Sequence, residues 1–165
     1  MEQFSSYPTL PIHLNKSEAT YFRKFKSQRN TKENPQCLMI VGNDSAAEGM
    51  LNGALMDWGY DVVVARNGWE ALVLAGRRSV DGMLVDMDMP IMDGRTMLSE
   101  LRWLGHQMPV LMMLGKSDEP IQPHLLMEGA QGCCLKPFDL PSLQHVCSQV
   151  FKNGAVQEPS LSCPG

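Results

Sequence analysis

The sequence predicts an α/β fold: a five-stranded, doubly wound parallel sheet with helices on both faces. Three observations carry that expectation. Between residues 37 and 152, five short apolar runs alternate with five stretches of helical periodicity, the pattern of repeated strand–helix units. The runs are continuously apolar, as strands buried on both faces require, instead of alternating as in a half-exposed sheet. The chain has 165 residues, of which 44% are hydrophobic and 19% charged, enough for one globular domain of about 100–150 residues with tails.

Taken in order, Cys37–Val41 is the first strand. Ala47, Met50, Leu51, Ala54, Leu55 and Trp58 then recur at helical spacing, with Asp44 or Ser45 as N-cap and Gly59 as the stop. Residues 62–65 form the second strand and 69–77 the second helix, joined by an Asn67-Gly68 turn. Residues 82–85 are the third strand and run into Asp86. Over 96–104, Met97, Leu98, Leu101 and Leu104 share one helical face. Val110–Leu114, bounded by Pro109 and Gly115, is the fourth strand, and residues 120–127 are a weaker helix ending at Gly129. Residues 133–135 are the fifth strand. The last helix, 139–151, carries Leu140, Leu143, Cys147, Val150 and Phe151 as its stripe.

The charge is unevenly spread. Residues 1–36 hold six Lys/Arg against three acids, whereas 37–165 hold eight against fifteen. A flexible basic arm, interrupted by Pro8, Pro11 and Pro35, therefore precedes an acidic body. Within the arm, residues 17–29 group Tyr21, Phe22 and Phe25 among basic residues at helical spacing. Residues 153–165, rich in Pro, Gly and Ser, read as a disordered tail. The acidic body repels phosphates, so nucleic-acid binding by the folded part is not expected. No run approaches the roughly 18 apolar residues of a membrane span, and no basic start with an apolar run marks a secretory signal. The expected location is cytoplasmic. Five cysteines at irregular spacing suggest no disulfide framework. Vicinal Cys133 and Cys134 read as core filling, and His13, His106, His124 and His145 have no ligand spacing.

In a doubly wound sheet the chemistry gathers beyond the carboxyl ends of the strands, at the switch point in strand order. Those ends hold residues 42–44, Asn67, residues 86–88, residues 114–116 and Lys136. The run DMDMPIMDG over residues 86–94 and the later Leu135-Lys136-Pro137-Phe138 stand at two of them. With Trp58-Gly59-Tyr60 and Asn67-Gly68-Trp69-Glu70-Ala71-Leu72, these motifs resemble the CheY-like receiver domain of bacterial two-component response regulators across residues 37–152. The resemblance implies Asp86 as phosphoacceptor, attacking the phosphohistidine of a partner histidine kinase. It implies Lys136 as the cation that pairs with the phosphoryl oxygens, and a Mg²⁺ ion that neutralises charge in the in-line transfer. A carboxylate attacking a phosphoryl group brings anions together, so such cations are required.

The sequence departs from the family pattern near that site. The family's metal-holding acidic pair falls on Gly42 and Asn43, with Asp44 one position later. The hydroxyl that bonds the phosphoryl group falls on Leu114, and the aromatic that reports the switch falls on Cys133. Mg²⁺ favours carboxylate oxygens, so at most a weak site is expected from Asp44, Asn43 and Asp88. Asp88 and Lys116 flank the phosphorylation position, and an ion pair across the site mouth is expected between them. Met87, Met89 and Met92 are expected as a soft apolar rim beside Asp86.

Two signalling readings follow. One is a degenerate receiver that binds its partner at least partly without phosphorylation, favoured by the losses at Gly42, Asn43, Leu114 and Cys133. The other is a receiver that accepts a phosphoryl group on Asp86. An enzymatic reading, a haloacid-dehalogenase-like phosphatase using Asp86 and Asp88, is weakened because that family carries its motif on the first strand. The family's usual contact surface is the fourth helix, fifth strand and fifth helix, here including His124, Met127, Cys133 and Gln144, with a histidine kinase or another signalling protein as partner. The sequence is also compatible with an oligomer. Residues 1–36 are too few for a DNA-binding module and nothing after residue 152 is expected to fold, so the chain is expected to act without an output domain.

Overall fold

The computed structural model describes residues 35–152. The expected flexible basic arm, with the helical spacing over 17–29, and the tail from residue 153 lie outside the described residues. Strands β1 (Cys37–Val41), β2 (Asp61–Ala65), β3 (Gly82–Asp86), β4 (Val110–Leu114) and β5 (Gly132–Leu135) form one parallel sheet in the order β2-β1-β3-β4-β5. They alternate with helices α1 (Ser45–Asp57), α2 (Gly68–Arg77), α3 (Gly94–Trp103), α4 (Gln122–Met127) and α5 (Leu140–Lys152). This is the architecture that the alternation of runs predicts. None of the described helices is long and apolar enough to cross a membrane.

Side chains of a strand point alternately to the two faces of the sheet, and this divides the core into two layers. Met39, Val41, Met83, Val85, Met112 and Leu114 point to the side covered by α2, α3 and α4. Leu38, Ile40, Leu84, Leu111 and Met113 point to the side of α1 and α5, where they meet Leu51, Leu55, Leu143 and Phe151. A fully buried aliphatic side chain contributes roughly 1.5–3 kcal/mol, so the continuous runs CLMIV and VLMML hold the sheet from both sides. The fifth strand lies at the edge and is only half-buried.

Helix boundaries follow side-chain caps more than apolar periodicity. Asp44, not Ser45, caps α1 and accepts from the N–H groups of Ala46 and Ala47 at 3.0 and 3.3 Å. Gly59 ends that helix with a φ of 91°. Asn67 caps α2 by accepting from Glu70 N–H at 2.8 Å, and the Glu70 carboxylate accepts from Arg66 N–H at 2.8 Å. Helix α3 starts two residues before the expected Thr96, because Asp93 caps it from Gly94 onward. The segment expected as one helix over 120–127 divides into a 3₁₀ turn, Lys116–Ile121, and α4. Pro120, which lacks an N–H, falls in the turn, and Pro123 sits in the first turn of α4 where that loss is harmless.

Candidate functional site

From β1 the chain crosses to β2 on one side, and later enters β3 on the other. The crevice beyond the carboxyl ends of β1 and β3 is thus the switch point of the sheet. It encloses about 450 Å³ and is lined by Asn43, Asp44, Asp86, Asp88, Met89, Pro90 and Asp93. Two of its four carboxylates, Asp44 and Asp93, are helix caps for α1 and α3. Backbone N–H groups and the positive ends of two helices therefore offset part of the negative charge.

Asp86 closes β3, opposite Met113 in the register of β4. Its side chain is 14% exposed, and Lys136 Nζ lies 2.7 Å from its Oδ1. Asp88 N–H donates to the same oxygen at 3.3 Å. Both hydrogen bonds fall on Oδ1. Lys136 is positioned by its backbone, whose N–H donates to Leu114 O at 2.7 Å, and the peptide bond to Pro137 is cis. A partly buried pair is screened less than a surface pair, so the ammonium and carboxylate hold each other at the strand ends.

The loop after Asp86 is fixed at several points. Met87 N–H donates to Met113 O at 3.0 Å, and Gly94 N–H donates to Met87 O at 2.9 Å. Met92 N–H donates to Pro90 O at 2.7 Å across Ile91, whose φ is 71°. That is a γ-turn with a β-branched residue in the left-handed region, a conformation that costs on the order of 1–3 kcal/mol. Ile91 is 66% exposed. Met87, Met89 and Met92 are half-buried against the layer of α2, α3 and α4, and Met89 also lines the crevice.

Of the positions assigned to switching, Gly42 and Leu114 carry no polar side-chain group, and Gly42 is the one beside Asp86. A Cβ added to Gly42 would lie 3.6 Å from Asp86 Cβ, ordinary van der Waals contact. Leu114 is fully buried in the core, and Cys133 is half-buried against the same cluster. Among the described residues, no three Asp, Glu, His or Cys side chains converge as a metal-ligand set. The expected ion pair between Asp88 and Lys116 does not form: both side chains are exposed, and the ion pairs among the described residues are Lys136–Asp86 and Arg95–Glu128. An exposed pair gains at most about 1 kcal/mol and must immobilise two side chains, so proximity in the family pattern is not enough to join them.

On the expected contact surface, His124, Met127 and Gln144 are exposed, Met127 to 86%, while Cys133 packs toward the core. The neighbouring Cys134 faces the other layer, where burial pushes its thiol up to about 12; burial does the same to Cys147. Sequence reasoning missed Arg95, Arg102, Glu128 and Gln131. Arg95 binds Glu128 across 33 residues of sequence, and Arg102 donates mostly to backbone carbonyls. The one available signal was the seven-residue spacing of the two arginines on α3.

Residues 38–148 match the family model of the response regulator receiver domain. Among curated proteins, the transcriptional regulatory protein ZraR of Klebsiella oxytoca is 31% identical over 125 residues, covering 76% of this chain and 28% of that protein. ZraR of Escherichia coli K12 is 33% identical over 107 residues, covering 65% of this chain and 24% of that protein. The chain thus spans about a quarter of the length of these relatives. Among solved structures, a response regulator from Chloroflexus aurantiacus is similar with a TM-score of 0.67 and 27% identity, covering 72% of this chain and 99% of that one. The receiver domain of a Francisella response regulator has a TM-score of 0.68 at 24% identity, a likeness of fold, covering 74% of this chain and all of that one. None of these matches supports the phosphatase reading.

Proposed function

The chain belongs to the response regulator receiver domain family, and on that premise we propose that it works as a degenerate receiver, signalling through protein–protein contact and at least partly without phosphorylation. Receiver domains are signalling modules that interact with histidine kinases. The observation that carries the degenerate reading is the environment of Asp86. Lys136 pairs with it at 2.7 Å, yet the neighbouring strand ends offer Gly42, Asn43 and Leu114. A hard divalent ion gains little from Asn43, whose neutral carbonyl replaces a carboxylate, and nothing from the side chain of Gly42. Asp44 has already directed Oδ1 to the backbone of α1. Mg²⁺ binding is therefore weak. Leu114 has no hydroxyl for a phosphoryl oxygen, and Cys133 is too small to act as a moving aromatic. The Asp86–Lys136 pair then holds one arrangement, and the partner, a histidine kinase or another signalling protein, docks on α4, β5 and α5. The folded body is acidic and has no role in binding nucleic acid.

The second reading, phosphorylation of Asp86, is favoured by the same ion pair, because the nucleophile and its cation are in place. The test is incubation of the chain with acetyl phosphate, or with beryllofluoride, in millimolar Mg²⁺. Intact mass and a spectroscopic titration are the readouts. We expect no saturable modification and no millimolar Mg²⁺ binding. Saturable modification that disappears in Asp86→Asn would overturn the degenerate reading in favour of the competent one.

A further inference from the structure

Two arginines on one face of α3 hold the segment that leaves α4. Arg95 and Arg102 are seven residues apart, about two helical turns, so both project from the same side. Arg95 makes a forked ion pair with Glu128, Nε approaching Oε2 at 2.9 Å and Nη2 approaching Oε1. Arg102 reaches Gly129 O from Nη2 at 2.7 Å and from Nε at 3.0 Å. It also donates to His106 O at 2.8 Å, Met108 O at 2.9 Å and Gln131 Oε1 at 3.0 Å. Gln131 Oε1 in turn accepts from Val110 N–H at 2.8 Å, joining the start of β4 to the same knot. By contrast, α4 itself is only six residues long and has no side-chain cap at its start.

The other end of α3 rests on the crevice. Gly94 N–H donates to Met87 O at 2.9 Å, and a Cβ at Gly94 would collide with Asp86 O. The crevice-lining Asp93 caps the helix. A single helix therefore touches the backbone of Asp86 at one end and the exit of α4 at the other.

We propose that α3, through Arg95 and Arg102, carries changes at Asp86 to residues 127–131, and so to the α4–β5 surface. The inference rests on the reading that Leu114 offers no hydroxyl at the strand ends. Lys136 ties Asp86 directly to the end of β5, and a second hydrogen-bonded path runs along the helix to residues 128–131. An α-helix displaced at its first turn moves as a unit, and charge-assisted arginine contacts pass that motion on because their geometry is restricted. Coupling is established only when both ends respond together and an intervening change uncouples them.

The experiment uses the full chain labelled with ¹⁵N and follows amide resonances. Asp86→Asn removes the charge that Lys136 pairs with, and no phosphoryl donor is involved. In the otherwise native chain it should shift residues 87–94 and also 127–131. In the Arg95→Gln and Glu128→Gln backgrounds the shifts at 87–94 should persist while those at 127–131 fall at least twofold. The Arg95→Lys background, which keeps the positive charge, should restore at least half of the response. Arg102 is half-buried among carbonyls and its loss threatens folding, so Arg95, which is exposed, and its partner Glu128 carry the test. Equal shifts at 127–131 in all backgrounds, or none in the native one, would overturn the proposal. Beryllofluoride binding would defeat the degenerate reading without deciding this outcome, because the coupling is read from Asp86→Asn alone.

Discussion

Two pairs of strand ends around Asp86 differ in kind. The ends of β3 and β5 carry Asp86 and Lys136, paired at 2.7 Å. The ends of β1 and β4 carry Gly42 and the fully buried Leu114, with Asn43 next to Gly42 in the crevice lining. The first pair retains charges that phosphoryl chemistry needs. The second pair, at Gly42 and Leu114, offers no side-chain carboxylate or hydroxyl. The contrast teaches that an acid and its counter-cation can be held as an ion pair by strand ends whose neighbours are given over to packing.

The largest expected effect comes from making the apolar end of β4 polar. Leu114→Thr removes part of a fully buried side chain and buries a hydroxyl, which should cost about 2–4 kcal/mol of unfolding free energy. Urea unfolding measures it. A cost below about 1 kcal/mol would mean that residue 114 is not the packing element described, and the contrast between the two pairs of strand ends would break. Next in size is the metal. Gly42→Asp combined with Asn43→Asp places carboxylates beside Asp86, with room at residue 42. Mg²⁺ affinity by calorimetry should rise at least tenfold, about 1.4 kcal/mol. An unchanged affinity would show that the missing acids are not what weakens the site.

The smallest effect concerns the clamp on α4. The hydrogen bonds from Arg95 hold the Glu128 carboxyl below the ordinary glutamate range, helped by the positive charges of Arg95 and His124 and opposed by desolvation. A depressed value in the folded state means that the stabilisation is complete above the unfolded value and is lost as pH falls through the folded one. Hydrogen exchange of amides 128–130, which bond back to His124, Leu126 and Leu125, should therefore accelerate below the ordinary glutamate range. In Glu128→Gln the same amides should show no such acid step. Asp139, also depressed because its carboxylate accepts from Ser142 N–H, should loosen the first turn of α5 in the same direction and provides a reference within the chain.

The sheet was legible because its signal is local. Cys37–Val41 and Val110–Leu114 are apolar at every position, and only burial on both faces accounts for that. The helix starts at Gly68 and Gly94 were displaced in the reading, because a cap is set by one carbonyl or carboxylate meeting a backbone N–H, which leaves little trace in periodicity. Asp86 and Lys136 were legible through strand ends and motif, and the structure brings them together across 50 residues. Asp88 and Lys116 were misread as partners because position in a pattern says nothing about the small net gain of an exposed pair. Arg102 was illegible for a different reason: backbone carbonyls accept its hydrogen bonds, and every residue type has one. Ile91 hid in the same way, since its left-handed backbone is imposed by the Pro90–Met92 turn and not by its side chain.

The sheet order has a consequence for how the chain is made. Strand β1 lies between β2 and β3, so the first three strands can assemble as soon as they have been synthesised. Lys136 follows the last strand. Until β5 docks, the crevice holds its carboxylates without the ammonium that pairs with Asp86. The ion pair is therefore a latch on the finished fold: an incomplete chain presents an unbalanced acidic cleft and an uncovered β4 edge, both features by which a nascent product differs from a mature one.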